Sequence, residues 1–239
     1  MKLRLLLAFA MALGHGDPAS AGSWAFLMPG AVHVGEAPEA PGHGWLALHR
    51  VGSSWRLSPT RLTARRVESA ITEYDVEISS TTPGAMAFMR LPGLRAGPVK
   101  TPKGWERFVG LVDLPADASE PDDPANGIRF NGTAYRLDVK PTVQQVSAQG
   151  DQPAYELRSS PFSIVAGTRR TEIGESGATN DSDDYNHIVW MGDLDGDGRL
   201  DFIISNSGKN SGGLCLYLSR GAKAGELLQA PYCHIGTGC

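Results

Sequence analysis

"GIRFNGTAYRLDV", Gly127 to Val139, decides how this chain is read. Asn131-Gly132 stands between two runs in which apolar and polar residues alternate. Both residues tolerate the positive φ of a two-residue type I′ turn, so the stretch reads as a β-hairpin. In its second arm Tyr135, Leu137 and Val139 face a core, while Arg136 and Asp138 face outward. That is the period-two signature of a half-buried strand.

The same grammar extends in both directions. Upstream, "GWLALHR" and "SWRLSPTRL" read as strands about a Gly52-Ser53-Ser54 turn, followed by "YDVEIS", "AMAFMRL" and "FVGLVDL". Downstream, "AYELRS" and "FSIVAG" continue the meander. The 29 glycines and 16 prolines punctuate these short segments. No stretch makes a convincing three-turn helix; the nearest, "GAKAGELLQA", is weakened by Gly225. "PADASEPDDPANG" (115–127) and "GESGATNDSDDYN" (174–186) read as long loops. The expected fold is mainly β: a β-sandwich-like domain over 22–172, an acidic flexible loop over 173–186, and a small C-terminal strand–loop–strand unit over 187–239.

The first residues, "MKLRLLLAFAMALGHGDPASAGSW", read as a secretory signal peptide. Lys2 and Arg4 precede an apolar run from Leu5 to Leu13, and Ala19-Ser20-Ala21 is a cleavage site. The mature chain is expected to begin at Gly22, in the periplasm or outside the cell. That apolar run is too short to span a bilayer, and no later stretch suits one, so no membrane span is expected. With 22 basic and 26 acidic side chains and no basic stripe, nucleic acid is excluded as a partner. Export favours a disulfide among Cys215, Cys233 and Cys239. Proximity in sequence points to Cys233–Cys239, with Cys215 a buried thiol in "LCLYL" and Cys215–Cys239 the competing pair. A metal site from Cys233, His234 and Cys239 lacks a fourth ligand.

"GDLDGDGRLD", Gly192 to Asp201, carries the chemistry. Asp193, Asp195 and Asp197 alternate at loop positions 1, 3 and 5, and Gly198 permits a sharp bend. The carbonyl of Arg199 and the carboxylate of Asp201 follow at positions 7 and 9. Unpaired, four carboxylates so close repel one another. Around a hard cation they supply the oxygens that Ca²⁺ takes, and Mg²⁺ is less suited because it demands a small octahedron and keeps its water. The order is that of an EF-hand loop up to position 9, but position 12 is Ile204 rather than a bidentate Glu. The flanks, "HIVWMG" and "FIISNS", are strands rather than helices.

This strand–loop–strand arrangement resembles the calcium loop of FG-GAP, or VCBS-type, repeats. The resemblance is carried by Trp190, Gly192, Asp193, Asp195, Asp197, Gly198 and Asp201, then "FII", with "LCLYLSRG" as the next strand, and covers residues 187–221. It implies one structural calcium stapling two strands. Only one copy of the loop is present, so a full propeller is not expected. The chain as a whole is similar to exported bacterial proteins with a β-rich N-terminal part and a Gly-Cys end, a resemblance that implies no function.

Catalytic signatures are missing. The chain has no H-E-x-x-H, G-x-S-x-G, P-loop or S-x-x-K pattern, and Ser176 in "GESGAT" lacks the elbow spacing. His33, His43 and His49, with Glu36 and Glu39, could form a zinc site but read as surface residues. His187 either orients the aspartate loop or packs in its strand. Trp24, Trp45, Trp55, Trp105 and Trp190 read as core sooner than as a carbohydrate groove. The expectation is an exported, calcium-stabilised, non-enzymatic protein that binds a protein or glycan of the cell envelope or surface. The alternatives are an envelope-polymer hydrolase with a structural calcium and a periplasmic inhibitor or immunity protein.

Overall fold

The computed structural model of the chain describes residues 24–69, 72–106, 127–139, 142–146, 154–158, 160–176, 185–208 and 210–237. The expected signal peptide, the "FVGLVDL" stretch, the middle of the acidic loop (177–184) and Cys239 lie outside the described residues. The architecture is mainly β, as the strand pattern predicts, and is made of curled antiparallel sheets that form neither a closed barrel nor a propeller.

The first sheet contains β1 (Phe26–Leu27), β2 (Gly30–His33), β3 (Gly42–Val51), β4 (Ser54–Val67), β5 (Asp75–Ser80), β6 (Ala85–Met89) and β7 (Gly97–Val99). Its order is β1-β6-β3-β4-β5-β2, with β7 added to β4. β4 is the spine: its first half pairs with β3 and β7, its second half with β5. The two edge strands, β1 and β2, are separated only by Met28 and Pro29, so the sheet curls until its edges nearly meet. Alternation along each strand then divides the side chains between two cores. Leu48, Trp55, Leu57, Ala87 and Met89 enter a large core shared with the rest of the molecule. Leu27, Val32, Trp45, Ala47, Leu62, Ile78 and Phe88 fill the inside of the curl.

A second sheet holds β8 (Gly127–Phe130), β9 (Thr133–Val139), β12 (Ser160–Ala166) and β13 (Arg169–Ser176) in the order β13-β12-β9-β8. β10 (Thr142–Val146) and β11 (Ala154–Arg158) pair separately. The Asn131-Gly132 hairpin forms as read, with φ of 47° and 81° at its two residues. Tyr135 and Leu137 are buried and Arg136 is exposed.

The third sheet is a simple meander of β14 (Tyr185–Gly192), β15 (Asp201–Gly208), β16 (Ser211–Tyr217) and β17 (Tyr232–Thr237). Ile188, Trp190, Phe202, Ile204 and Leu216 join the large core, where they meet Trp55, Ile128, Tyr135 and Ile164 from the other two sheets. Trp190 packs edge-on against Trp55 with ring centroids 6.1 Å apart, a contact worth about 1 kcal/mol beyond its buried area. The segments before and after the acidic loop therefore share one apolar interior, and the described ends of that loop belong to β13 and β14.

The cysteine pairing differs from expectation. Cys215 is bonded to Cys233, not left as a thiol, so Cys233 is not paired with Cys239. The two are directly opposed in the β16–β17 ladder, with α-carbons 4.0 Å apart. Eighteen residues of sequence separate them, but the meander erases that distance. Proximity in sequence was the wrong guide because register, not spacing, brings cysteines together.

Candidate metal centre

The aspartate loop connects two adjacent strands. Gly192 at the end of β14 pairs with Asp201 at the start of β15, so residues 193–200 must turn back within a hairpin. Gly196 and Gly198 supply φ of 74° and 84° at the bends, values that cost a side-chain-bearing residue strain. Leu194 and Leu200 are buried and fasten the two sides of the loop to the large core. Gly192 leaves no room for a side chain. A Cβ there would lie 2.6 Å from the Trp190 ring and 2.8 Å from the Lys100 carbonyl.

Within the loop the aspartates bind the backbone as well as facing one another. Asp193 Oδ2 accepts from Gly198 N–H at 3.1 Å, Asp195 Oδ1 from Asp197 N–H at 3.1 Å, and Asp197 Oδ1 from Arg199 N–H at 2.8 Å. These turns draw the three side chains together, and one carboxylate oxygen from each lies within 4.8 Å of the others. Two oxygens are left over. Asp193 Oδ1 and Asp195 Oδ2 are buried and accept no hydrogen bond, and Asp193 as a whole is only 8% exposed. Buried anionic oxygens without a donor are costly. A cation among them removes that cost, so the cluster could hold a metal ion.

Two arginines partly neutralise the loop. Arg199 lays its fork on Asp197 Oδ2 at 2.9 and 2.7 Å. Arg220 Nε lies 2.9 Å from Asp195 Oδ2, an ion pair by distance but not aligned as a hydrogen bond. Arg220 is half exposed while the Asp195 side chain is 2% exposed, so the arginine offsets part of the charge on that oxygen from the solvent side. The carboxyls diverge accordingly. Burial, and then the charge of Asp197, push Asp195 above its ordinary value. Burial also works to raise Asp197, but its hydrogen bonds from Arg199 and Ser219 prevail and hold it below the usual carboxylate range.

Asp201 plays a different part in the structure. It is fully buried, and its oxygens are engaged by Leu194 N–H at 2.7 Å, Ser219 N–H at 2.7 Å and the Ser219 hydroxyl at 3.0 Å. Burial pushes its carboxyl up to about 7 against the pull of the Ser219 and Leu194 backbone bonds. Asp201 thus sews the loop to the end of β16, and it stands outside the triangle of Asp193, Asp195 and Asp197. Arg199 contributes its guanidinium and N–H to that triangle through Asp197.

The loop is held from outside by residues that the sequence pattern did not connect with it. Asn131, at the tip of the β8–β9 hairpin, donates from its side chain to the Gly198 carbonyl at 2.8 Å. The Tyr135 hydroxyl accepts from Leu200 N–H at 3.3 Å. Asp193 N–H donates to the Lys100 carbonyl at 2.9 Å, and the Ser219 hydroxyl bridges Asp197 and Asp201. Residues of the second and third sheets, and Lys100 just past β7 of the first, therefore converge on the loop. Only Ser219 and Arg220 carried a hint, as neighbours of the "LCLYL" strand.

The other candidates do not assemble. His33 pairs with Asp75 at 2.8 Å and His49 with the Ser58 hydroxyl at 2.9 Å, so the histidines of the N-terminal region go separate ways. Among the described residues the aspartate triangle is the one group of three acids, histidines or cysteines close enough to share an ion. His187 lies in β14 opposite Ser205, and Ser176 ends β13. Trp45, Trp55, Trp105 and Trp190 are core residues. Cys233 is spent in the disulfide, and both ring nitrogens of His234 are engaged by backbone groups. Two open clefts, of about 410 and 430 Å³, meet at Gly44 and Leu46. They are bordered by His43 and Arg61 on one side and Arg90 on the other, and no loop carboxylate lines them. Compared with known proteins, the chain matches no family model, no curated protein and no solved structure.

No described helix is long and apolar enough to cross a membrane.

Proposed function

We propose that this chain is an exported β protein stabilised by one structural Ca²⁺ in the Asp193–Asp201 loop, and that it binds a protein or glycan of the cell envelope or surface. The observation that carries the reading is the pair of buried carboxylate oxygens, Asp193 Oδ1 and Asp195 Oδ2, that accept no hydrogen bond. The preference for Ca²⁺ rests on the chemistry of the loop: alternating carboxylates and a backbone carbonyl suit the six to eight flexible oxygen ligands of Ca²⁺, whereas Mg²⁺ demands a small octahedron and keeps its water. Asp193, Asp195 and Asp197 would hold the ion, with the Arg199 carbonyl and Asp201 as the further donors of an FG-GAP-like loop. The ion's contribution is folding energy: it neutralises the triangle in the loop that the β8–β9 hairpin, Lys100 and Ser219 hold in place. The Cys215–Cys233 bond supports export, because such bonds persist in oxidising compartments.

Isothermal titration with Ca²⁺ and Mg²⁺ after chelation tests the ion. One site with clear preference for Ca²⁺ supports the reading, and no heat with either sinks it. Pull-down from envelope extract, with and without chelator, tests the binding function; recovery of no protein or glycan in the presence of Ca²⁺ would count against it.

A further inference from the structure

A second device lies at the seam between the C-terminal strand β17 and the N-terminal segment 24–36. His234 is 1% exposed on β17. Its Nδ1 accepts from the Met28 backbone N–H at 3.0 Å, and its Nε2 lies 2.7 Å from the Glu36 carbonyl. A carbonyl only accepts and an N–H only donates, so these partners select the neutral ring with its proton on Nε2. The Trp24 ring stands edge-on at 5.5 Å. The Glu36 carboxylate completes the seam. Oε1 accepts from Thr237 N–H at 2.8 Å on β17, and Oε2 accepts from His33 N–H at 2.9 Å. The Cys215–Cys233 bond, one residue from His234, ties β17 to β16 independently of all these contacts.

We propose that His234 is a pH-sensitive latch: protonation of its Nδ1 sets N–H against the Met28 N–H and releases the Met28 end of the N-terminal segment from β17, while the disulfide keeps β17 on its own sheet. Two donors then face each other in a buried site, and the one hydrogen bond from β17 to Met28 is replaced by repulsion. The charged and titratable groups around the ring are few. Glu36 is the acid that bears on it, from the turn after β2, and His33 with its partner Asp75 stands behind Glu36. Strand β16 opposes His234 with Leu214, which carries no charge.

The direction follows from the seam itself. Burial lowers the proton affinity of His234 below its ordinary 6.5, outweighing the opposing pull of the Glu36 carbonyl and charge. The contribution of the neutral ring to the seam is therefore complete above 6.5 and is lost as pH falls from there through the lower folded value. Glu36 is itself held below 4.5: burial works to raise it, but its hydrogen bonds from Thr237 and His33 prevail. From neutral pH down to 4.5 its contacts to Thr237 therefore hold.

Amide exchange by NMR, with the ring nitrogens of His234 followed in the same samples, tests the latch in the full chain. As pH is lowered from 7.5 through the titration of the ring, after correction for intrinsic exchange, Met28 protection should fall in step with the protonation of His234, about tenfold for each pKa unit by which folding lowers the ring. Phe202, in the middle of the third sheet, should keep its protection. His234→Gln, which retains a donor and an acceptor but does not titrate, should make Met28 protection independent of pH. If that variant does not fold, the parent alone decides: the ring must be Nε2-protonated at pH 7.5, and its protonation must track the loss at Met28. Unchanged Met28 protection, a ring that titrates without it, or the same pH dependence in His234→Gln each overturns the proposal.

Discussion

Replacing Asp193 by Asn separates an ion-binding loop from a bare acidic turn by the sign of its effect. The Asn side chain keeps one oxygen for Gly198 N–H and exchanges the oxygen that accepts no bond for an amide. The ligand oxygens of the triangle lie no farther than 4.8 Å apart, and two unit charges at that upper bound repel by about 3.5 kcal/mol at an effective dielectric constant of 20. Arg220 and Arg199 offset part of that, so we expect roughly half of it, about 1–2 kcal/mol, to be relieved in the variant. In chelator, Asp193→Asn should therefore melt higher than the parent by several degrees, at about 2–4 °C per kcal/mol for a chain of this size. At a hundredfold excess of Ca²⁺ over Kd the parent gains about 2.7 kcal/mol, or roughly 5–10 °C, and the variant, short of one ligand, should respond little. The order of stability inverts. The assay is calorimetric melting of both proteins in chelator and in Ca²⁺. A variant that melts lower in chelator, beside a parent whose melting ignores Ca²⁺, would refute the reasoning: the carboxylate would then matter as a partner of Gly198, and the arginines alone would satisfy the loop.

Asp201→Ala strands Leu194 N–H and Ser219 N–H in a dry site and should cost about 2–6 kcal/mol in urea denaturation, at about 1–3 kcal/mol for each orphaned donor. Because folding raises the Asp201 carboxyl from 3.8 to about 7, the folded chain binds that proton more tightly. The stability this group contributes is complete below 3.8 and is lost as pH rises through 7, and in chelator Asp201→Asn should remove that slope. Replacing both Cys215 and Cys233 by Ala should lower stability by about 3 kcal/mol for a loop of this length, and peptide mapping of the parent should recover these two cysteines linked. Gly213→Ala should destabilise by about 3 kcal/mol or more, since its Cβ would sit 2.1 Å from the His234 carbonyl oxygen across the β16–β17 ladder; a melting curve like the parent's would show that the two strands can spread.

What the sequence determined by itself is local. The 131–132 turn, the turn that begins at Gly52 and the alternation of Tyr135 and Leu137 depend on backbone φ and a two-residue period, both written in neighbouring residues. The D-x-D-x-D-G spacing is equally local, because a loop that brings its own carboxylates together needs no distant partner to do so. Everything decided by pairing across the chain required the tertiary structure. Leu48 and Ala47 are adjacent apolar residues, yet they enter different cores, because the first sheet curls and gives each face its own interior. Cys215 finds Cys233 rather than leaving it to Cys239, because β16 and β17 are antiparallel neighbours in one register. Asp201 binds Ser219 across eighteen residues, and Asn131 reaches Gly198 across sixty-seven, through contacts that no spacing in the sequence announces. Periodicity and turn chemistry act over a few residues, whereas register and the closing of one sheet on another are settled only when the apolar faces are buried together.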